Sequence, residues 1–342
     1  MSGPGEHTLE EILSQPEAWQ AALRVIKAQR SELASLRQPG LHEVVFTGCG
    51  STYYLSLAAA ALFQGLTGLT ARGLPASEIW LHPSTCLSAR KTMLVALSRS
   101  GETTETLSAC SAFLESGRSD LVTLSCYPKA PLAAMGRFNL VLESGQERSI
   151  AQTRAFSTLY LAAVSLAALW ADQDRLFSAL DRLGDCASRL IRQYRPLAAD
   201  LGGDETLDRF YWLGSGPRYG LACELSLKMK EMSLSHSEPF HFMEFRHGPK
   251  AMVTPTTLLV GLRSSARADS EGAVLEEVQS LGGRCFALGE SDADVEFHSG
   301  LEDAIATVLC LPIGQLIAYE RSVSKGLDPD KPHNLDSVVR LS

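Results

Sequence analysis

A repeated strand–loop–helix pattern limits the folds open to this chain more than any other feature. In the first half an apolar strand ends at Gly48, a "CGST" loop opens a helix, and the next apolar strand reaches Val95, 47 positions further on. In the second half the same order of elements runs from Gly214 to Val260, which are 46 positions apart. Such near-equal spacing predicts a duplicated α/β unit.

Short apolar runs alternate with helical patterns along both halves. The strands that we expect are "EVVFTG", "TMLVALS", "DLVTLSC", "NLVLES", "RFYWLGSG" with its glycine loop, "TLLVGLRSS" and "RCFALGE". Buried strands alternating with helices are typical of parallel sheets that carry helices on both faces. The predicted organisation is an N-terminal helical segment (1–36), a first α/β domain (37–195) and a second α/β domain with a C-terminal tail (196–342).

The composition excludes several classes of protein. The chain has 342 residues, of which 45% are hydrophobic, which is enough for two cores. Its net charge of −8 and the absence of a Lys/Arg run argue against a nucleic-acid partner. The eight cysteines form no C-x-x-C pair, which predicts reduced thiols and a cytoplasmic location. The acidic N-terminus is unlike a signal peptide, and the apolar run "TLYLAAVSLAALWA" is too short for a membrane span.

The two glycine loops do not fit the common nucleotide motifs. "GCGSTY" lacks the third glycine of a dinucleotide fingerprint, and no acid follows at the distance that a ribose hydroxyl requires. The chain contains no G-x-x-x-x-G-K-[ST] phosphate loop and no H-E-x-x-H zinc motif. We therefore expect neither an NAD site, nor a nucleoside triphosphate site, nor a metal.

The segment "ALSRSGETTET" predicts a phosphate site. A buried strand ends at Ser98, and Ser100, Gly101 and Thr103 follow where a helix begins. Ordinary helix capping needs one hydroxyl, whereas this loop concentrates several around a glycine. Hydroxyls and free backbone N–H groups at a helix N-terminus suit a dianionic phosphate. Because parallel strands end at one edge of a sheet, we expect Ser51 and Thr52 of the "GCGST" loop nearby.

Six segments then resemble, in the same order, the motifs of the sugar-isomerase (SIS) family. They are "GCGSTYY", "SRSGETTET", "ERSIAQTRAFST", "ELSLKMKEMSLSHSEPF", "EFRHGPKAMV" and "DKPHNLDSVV". They are most similar to the isomerase half of glucosamine-6-phosphate synthase and to its stand-alone deaminase and deglycase relatives. The resemblance implies two flavodoxin-like SIS domains in tandem, and a homodimer whose active sites are completed across the subunit interface.

The resemblance also implies roles for individual residues. It assigns the sugar phosphate to Ser98, Ser100 and Thr103, with Ser51 and Thr52 close by, in agreement with the reading of the loops themselves. Arg99 and Gln152 stand where the family has other polar residues in its phosphate and hydroxyl loops. The resemblance therefore does not fix which sugar binds.

The expected catalytic groups lie in the second half. Glu224, Lys228 and Glu231 are spaced i, i+4 and i+7 and share one face of a helix, an arrangement that a solvated, salt-bridged helix would also show. By resemblance, Glu231 is the base that moves a proton between C1 and C2 of the open-chain sugar. By resemblance, His247 opens the sugar ring and reaches the site of the neighbouring subunit, although a lone histidine is often only a structural hydrogen-bonding residue.

The chain also departs from the synthase pattern. About forty residues precede the first strand, with no N-terminal cysteine nucleophile, so we expect no glutaminase domain. Ser337 stands in "NLDSVV" where the synthase tail has a lysine, and a serine cannot form an imine with a ketose.

Several functions remain open from sequence. The preferred one is a cofactor-free deaminase or isomerase that converts glucosamine 6-phosphate into fructose 6-phosphate and ammonia. An isomerase of a non-amino hexose 6-phosphate, a deglycase for glycated amines and a non-catalytic phosphosugar sensor are the alternatives. The expected partners are a small phosphosugar and a second copy of the chain, with no membrane.

Overall fold

The computed structural model describes residues 3–118 and 120–339, and its strands form two parallel sheets. The first sheet contains β1 (Glu43–Gly48), β2 (Thr70–Pro75), β3 (Thr92–Ser98), β4 (Leu121–Ser125) and β5 (Phe138–Val141) in the order β2-β1-β3-β4-β5. The second contains β6 (Arg209–Gly214), β7 (His236–Phe240), β8 (Thr257–Leu262), β9 (Arg284–Gly289) and β10 (Val295–Glu296) in the order β7-β6-β8-β9-β10. The identical strand order confirms the predicted α/β duplication.

Helices connect and flank these strands. In the first half they are α1 (Glu6–Leu13), α2 (Gln15–Ala28), α3 (Arg30–Ser35), α4 (Ser51–Thr67), α5 (Ala76–Leu81), α6 (Pro83–Cys86), α7 (Thr104–Glu115) and α8 (Arg154–Trp170). The second half continues with α9 (Asp174–Ala179), α10 (Leu183–Gly203), α11 (Pro217–Ser233), α12 (Phe242–Phe245), α13 (Ala268–Ser280), α14 (Asp303–Ala306) and α15 (Cys310–Ser324). The crossovers β1–α4–β2 and β6–α11–β7 therefore repeat one arrangement, in which a helix follows directly on a glycine loop.

Three strands were missed by the sequence analysis, the two-residue β10 and the longer β2 and β7, and all three lie at an edge of their sheet. The strand β2 reads "TARGLP" and is largely half-exposed, and β7 reads "HSEPF". Each pairs with only one neighbour, so proline and polar residues are tolerated in both. The central strands, which are covered on both faces, carried the apolar signal that the sequence analysis used.

By contacts the chain divides into two units that follow the two sheets. The first-sheet unit contains Glu17–Glu147, Arg154–Asp181 and the tail from Asp336. The second-sheet unit contains the segment up to Pro16, Arg148–Thr153 and Arg182–Leu335. The predicted domain limits of 37–195 and 196–342 stay predictions, and each unit is described by itself below.

One helical segment near the C-terminus is apolar enough to resemble a membrane span, which the sequence analysis did not expect of any segment. The stretch Asp303–Ser324, which contains α14 and α15, would by length and composition alone be able to cross a membrane. However, 83% of its most apolar window is buried inside the fold, as in the core helix of a globular protein. It packs against α10 and α11.

Candidate functional site

In the first-sheet unit, the loops that follow β1 and β3 lie side by side because these strands are parallel neighbours. Gly48 ends β1 where an added Cβ would come within 2.8 Å of the backbone of Thr52, so the turn into α4 requires glycine. The Thr52 hydroxyl accepts from Cys49 N (3.0 Å) and donates to Cys49 O (2.9 Å). Ser51 is buried in the same turn. The Thr52 hydroxyl thus ties the turn between β1 and α4 together through two hydrogen bonds to Cys49.

Two serines form hydrogen bonds within the loop that follows β3. Ser98 Oγ accepts from Gly101 N at 3.0 Å, and Ser100 Oγ accepts from Glu102 N at 3.2 Å. Gly101 has a φ of 69°, and a Cβ there would lie 2.7 Å from Ala130 Cβ. The loop therefore brings Ser98 and Ser100 together at the start of α7, as the sequence predicted.

Thr103 is the N-cap residue of α7, but its hydroxyl makes no capping hydrogen bond. The side chain is half-buried at the carboxyl edge of the sheet. The carbonyl of Val339, in the C-terminal tail, accepts from Thr104 N at 3.4 Å. The N-terminus of α7 is therefore partly capped by a carbonyl of the tail, and the Thr103 hydroxyl takes no part in capping.

Arg99 is held by a buried carboxylate. Its guanidinium lies 3.2 Å from Glu147 Oε2, and the two side chains are 7% and 0% exposed. It also donates to Ser337 O at 3.2 Å, while Glu147 Oε1 accepts from Ala155 N in the first turn of α8. Arg99 thus links the loop after β3 to α8 and the tail, and its predicted contact with phosphate stays a prediction.

In the second-sheet unit, α11 carries the three predicted groups of the proton-transfer site. Lys228 Nζ donates to Glu231 Oε2 in a close contact and lies 3.3 Å from Glu224 Oε1. Glu224 and Lys228 are fully buried, and Glu231 is 18% exposed. The shared helix face is confirmed, and the alternative of a solvated, salt-bridged helix is wrong. Glu231 is the member of the group that solvent or a ligand can reach.

His247 lies on an exposed segment between α12 and a short 3-10 turn at Pro249–Met252. Its backbone N–H donates to Glu244 O at 3.0 Å, and Gly248 follows with a φ of 123°. Arg246 and Lys250 both bind Glu277 on α13, with N–O distances of 2.7 and 2.5 Å. These two cations anchor the segment and leave the His247 imidazole at the surface of the unit.

Gln152 lies in the loop Arg148–Thr153, which belongs to the second-sheet unit. Its side-chain oxygen Oε1 is buried and has no hydrogen-bond partner among residues 3–118 and 120–339. Buried acceptors are nearly always paired, so an orphan points to a missing donor.

The sequence analysis missed one histidine near the end of β7. His241 stacks on Tyr219 of α11, with ring centroids 3.8 Å apart. Burial lowers the pKa of His241 from its ordinary 6.5, against the opposite effect of the Glu244 carboxylate. No sequence motif pointed to His241, because its stacking on Tyr219 depends on the edge strand β7, which the sequence analysis did not predict.

Comparison with known proteins identifies the fold. Residues 40–169 match the SIS domain. The chain is 28% identical to the glutamine–fructose-6-phosphate aminotransferase (isomerizing) of Methanothermobacter thermautotrophicus, over 97% of this chain and 57% of that protein. It is also 28% identical to the Sulfolobus acidocaldarius enzyme of the same name, over 90% of this chain and 51% of the other. The chain thus spans about half the length of these relatives.

Solved structures cover the whole fold. Glucosamine-6-phosphate deaminase from Thermotoga maritima superposes with a TM-score of 0.74 and 27% identity, covering 94% of this chain and 100% of that chain. Tagatose-6-phosphate ketose/aldose isomerase from Escherichia coli gives a TM-score of 0.84 at 22% identity, covering 96% and 98%. The family match covers residues 40–169, and together with the repeated sheet order the superpositions show that the chain has the fold of two SIS domains in tandem.

Proposed function

We propose that this protein is a phosphosugar isomerase of the deaminase type, which converts glucosamine 6-phosphate into fructose 6-phosphate and ammonia. The observation that carries the proposal is the group on α11, in which buried Lys228 binds both carboxylates and only Glu231 is accessible. The 27% identity to the glucosamine-6-phosphate deaminase of Thermotoga maritima, at full coverage of that chain, supports the amino sugar as substrate. The reaction places the enzyme in amino sugar metabolism.

In the proposed mechanism, Glu231 removes the proton from C2 of the open-chain aldehyde, and the electron pair moves onto the carbonyl oxygen to give an enolamine intermediate. Glu231 then returns the proton to C1, while O1 takes up a proton and the amine nitrogen gives one up, which leaves a hydroxyl at C1 and an imine at C2. Water adds to the imine, and the carbon–nitrogen bond breaks to release ammonia and the C2 ketone. Lys228 balances the charge of Glu231 through both steps.

Within the first-sheet unit, the loop after β3 is the proposed site for a sugar phosphate. Ser98 and Ser100 lie beside the N-terminus of α7, where each hydroxyl accepts from the loop backbone, and the Thr103 hydroxyl, which makes no capping bond, is the proposed further donor. A helix N-terminus favours a dianion because its first N–H groups lack partners within the helix. The loop therefore supplies hydroxyl donors and a helix N-terminus that suit a sugar phosphate.

His247 is the proposed acid–base group that opens the sugar ring. Its exposure on the segment after α12 supports a contribution to the site of a second subunit in a homodimer. A shared site would make each subunit inactive alone, since Glu231 and His247 would then act on one sugar from different chains.

The direct test is an assay of ammonia and fructose 6-phosphate released from glucosamine 6-phosphate by the purified protein, beside a panel of hexose 6-phosphates and glycated amine phosphates. Glu231→Gln should abolish turnover and keep phosphosugar binding. Turnover of non-amino hexose phosphates alone would replace the deaminase with an aldose–ketose isomerase. Binding without turnover of any member would favour a sensor and overturn the enzymatic proposal.

A subunit-mixing experiment tests the shared site. Equimolar Glu231→Gln and His247→Gln proteins, each inactive alone, are unfolded together and refolded. Random pairing makes half of the dimers mixed, each with one intact site, so we expect about a quarter of wild-type activity if His247 acts across the interface. No recovered activity, with dimers present, would mean that both residues serve the site of their own chain.

A further inference from the structure

We propose that Glu11, in the N-terminal helix α1, is a positioning residue that holds the loop Arg148–Thr153 and thereby aims Gln152 Oε1 at a hydroxyl of the sugar. The inference rests on the proposed function and deepens it, because it extends the sugar site to a helix that precedes both sheets. Everything that carries it lies within the second-sheet unit.

The loop Arg148–Thr153 forms no strand or helix, so side chains must bind its backbone polar groups. The Glu11 carboxylate accepts from Arg148 N at 2.5 Å and from Ser149 N at 3.3 Å, and the Ser149 hydroxyl donates to its other oxygen. Glu11 is 2% exposed. A buried carboxylate is costly unless several donors satisfy it, so these contacts fix helix and loop to each other.

The far end of the loop is tied to the same helical region. Gln315 Nε2 on α15 donates to Thr153 O at 3.3 Å, and Gln315 Oε1 accepts from Gln15 Nε2 at 2.9 Å. In the middle of the loop, Ile150 N donates to Asp330 O at 3.3 Å. The backbone on both sides of Gln152 is thus bound by neighbouring elements.

The helix that carries Glu11 is itself clamped. Asp330 Oδ1 accepts from both Thr8 N and Thr8 Oγ1 at 2.7 Å, and Asp328 Oδ1 accepts from Gly5 N at 2.9 Å. The first turn of α1 is therefore capped by the segment after α15, which also binds the loop through Asp330 O. The helix, the loop and this segment form one hydrogen-bonded network.

Gln152 lies in the loop that this network holds. Its side-chain oxygen Oε1 is buried and accepts no hydrogen bond from the described residues. A flexible glutamine would turn its amide towards a protein donor or water. A loop whose backbone is fixed on both sides presents this oxygen away from the donors of the described residues, so a ligand hydroxyl would bind there at little ordering cost.

The variant Glu11→Gln tests the proposal with little change of shape. A glutamine side chain has one acceptor oxygen, so its NH₂ group would face an N–H or O–H donor of Arg148 or Ser149. Glu10→Gln is the matched control, because Glu10 is the preceding residue and is exposed. The assays are turnover of glucosamine 6-phosphate, inhibition by inorganic phosphate, and hydrogen exchange of the loop amides.

We expect Glu11→Gln to lower kcat/KM by roughly ten- to a hundredfold, because Gln152 would then be misplaced relative to the sugar. The inhibition constant for inorganic phosphate should stay within about twofold of the wild-type value. In a Gln152→Ala background the same change should have less than about a twofold effect, because residues acting through each other are not additive. A full additive loss in that background, or a parallel loss of phosphate inhibition, would reveal a merely structural role and overturn the proposal.

Hydrogen exchange keeps the two proposals distinguishable. In Glu11→Gln the amides of Arg148 and Ser149 should exchange faster than in wild type, and in Glu10→Gln they should not. If wild type turns over no phosphosugar, the proposed function fails, and this exchange still decides whether Glu11 holds the loop. Unchanged exchange at both amides in Glu11→Gln would overturn the positioning role whatever the activity.

Discussion

Lys228 offers the sharpest test of how the proposed site is built. It is fully buried, 3.3 Å from the fully buried Glu224, and in closer contact with Glu231. Lys228→Met keeps much of the side-chain volume and removes the charge, which leaves two carboxylates on one face of α11 without their cation. The variant therefore isolates the electrostatic role of the lysine from its packing.

The size of the effect follows from the geometry. Two unit charges separated by 3.3 Å interact by about 5 kcal/mol at an effective dielectric constant of ~20. Removing one partner of a buried ion pair typically costs about 3–5 kcal/mol, because the other charge stays buried. For a unit of this size that loss lowers the unfolding temperature by roughly 10 °C.

The assay is thermal unfolding of Lys228→Met beside Lys230→Met, an exposed lysine of the same helix. Lys230→Met should change the free energy of unfolding by less than about 1 kcal/mol. The double variant Lys228→Met/Glu224→Gln should recover part of the loss, since one buried charge is removed with its partner. Equal shifts for Lys228→Met and Lys230→Met would refute the view that the lysine neutralises buried carboxylates.

Three further predictions concern other parts of the site. Thr103→Val should weaken inhibition by inorganic phosphate roughly tenfold, as expected for one lost hydrogen bond to a charged group, whereas Ser116→Ala at the other end of α7 should not. Glu147→Gln should destabilise the protein by about 3–5 kcal/mol in thermal unfolding, because Arg99 stays buried without its carboxylate, and a loss under about 1 kcal/mol would contradict that pairing. Because burial lowers the pKa of His241 from 6.5, the unfolded chain binds more protons there, and stability falls as pH drops below that value. His241→Gln should therefore lose less stability than wild type between pH 7 and pH 5, and equal losses would argue against this shift.

Much of the fold could be predicted because the central strands carry a strong apolar signal. β1 and β3 begin and end where the "EVVFTG" and "TMLVALS" runs do, and each is buried along its whole length. The edge strands β2 and β7 carry proline and polar residues that one-sided pairing tolerates, so no apolar run marked them. The sequence indicated that the sheets are parallel, but it did not indicate the order of the strands within each sheet.

The site could be predicted only where one element carries it. Helical spacing was enough to bring Glu224, Lys228 and Glu231 onto one face. The pairing of Arg99 with Glu147 and the contact of Glu11 with the loop Arg148–Thr153 join residues 48 or more positions apart. No local pattern encodes such contacts, because they arise only when distant elements pack together.

The central claim is that Glu231 moves a proton between C1 and C2 of a bound hexose 6-phosphate, whatever the nitrogen does afterwards. It is tested most directly by incubating the protein with fructose 6-phosphate in D₂O and following deuterium at C1 by NMR. We predict incorporation of solvent deuterium by wild type and none by Glu231→Gln, although both bind the sugar. Failure of wild type to exchange any proton of a bound hexose 6-phosphate, or exchange by Glu231→Gln at the wild-type rate, would contradict the account.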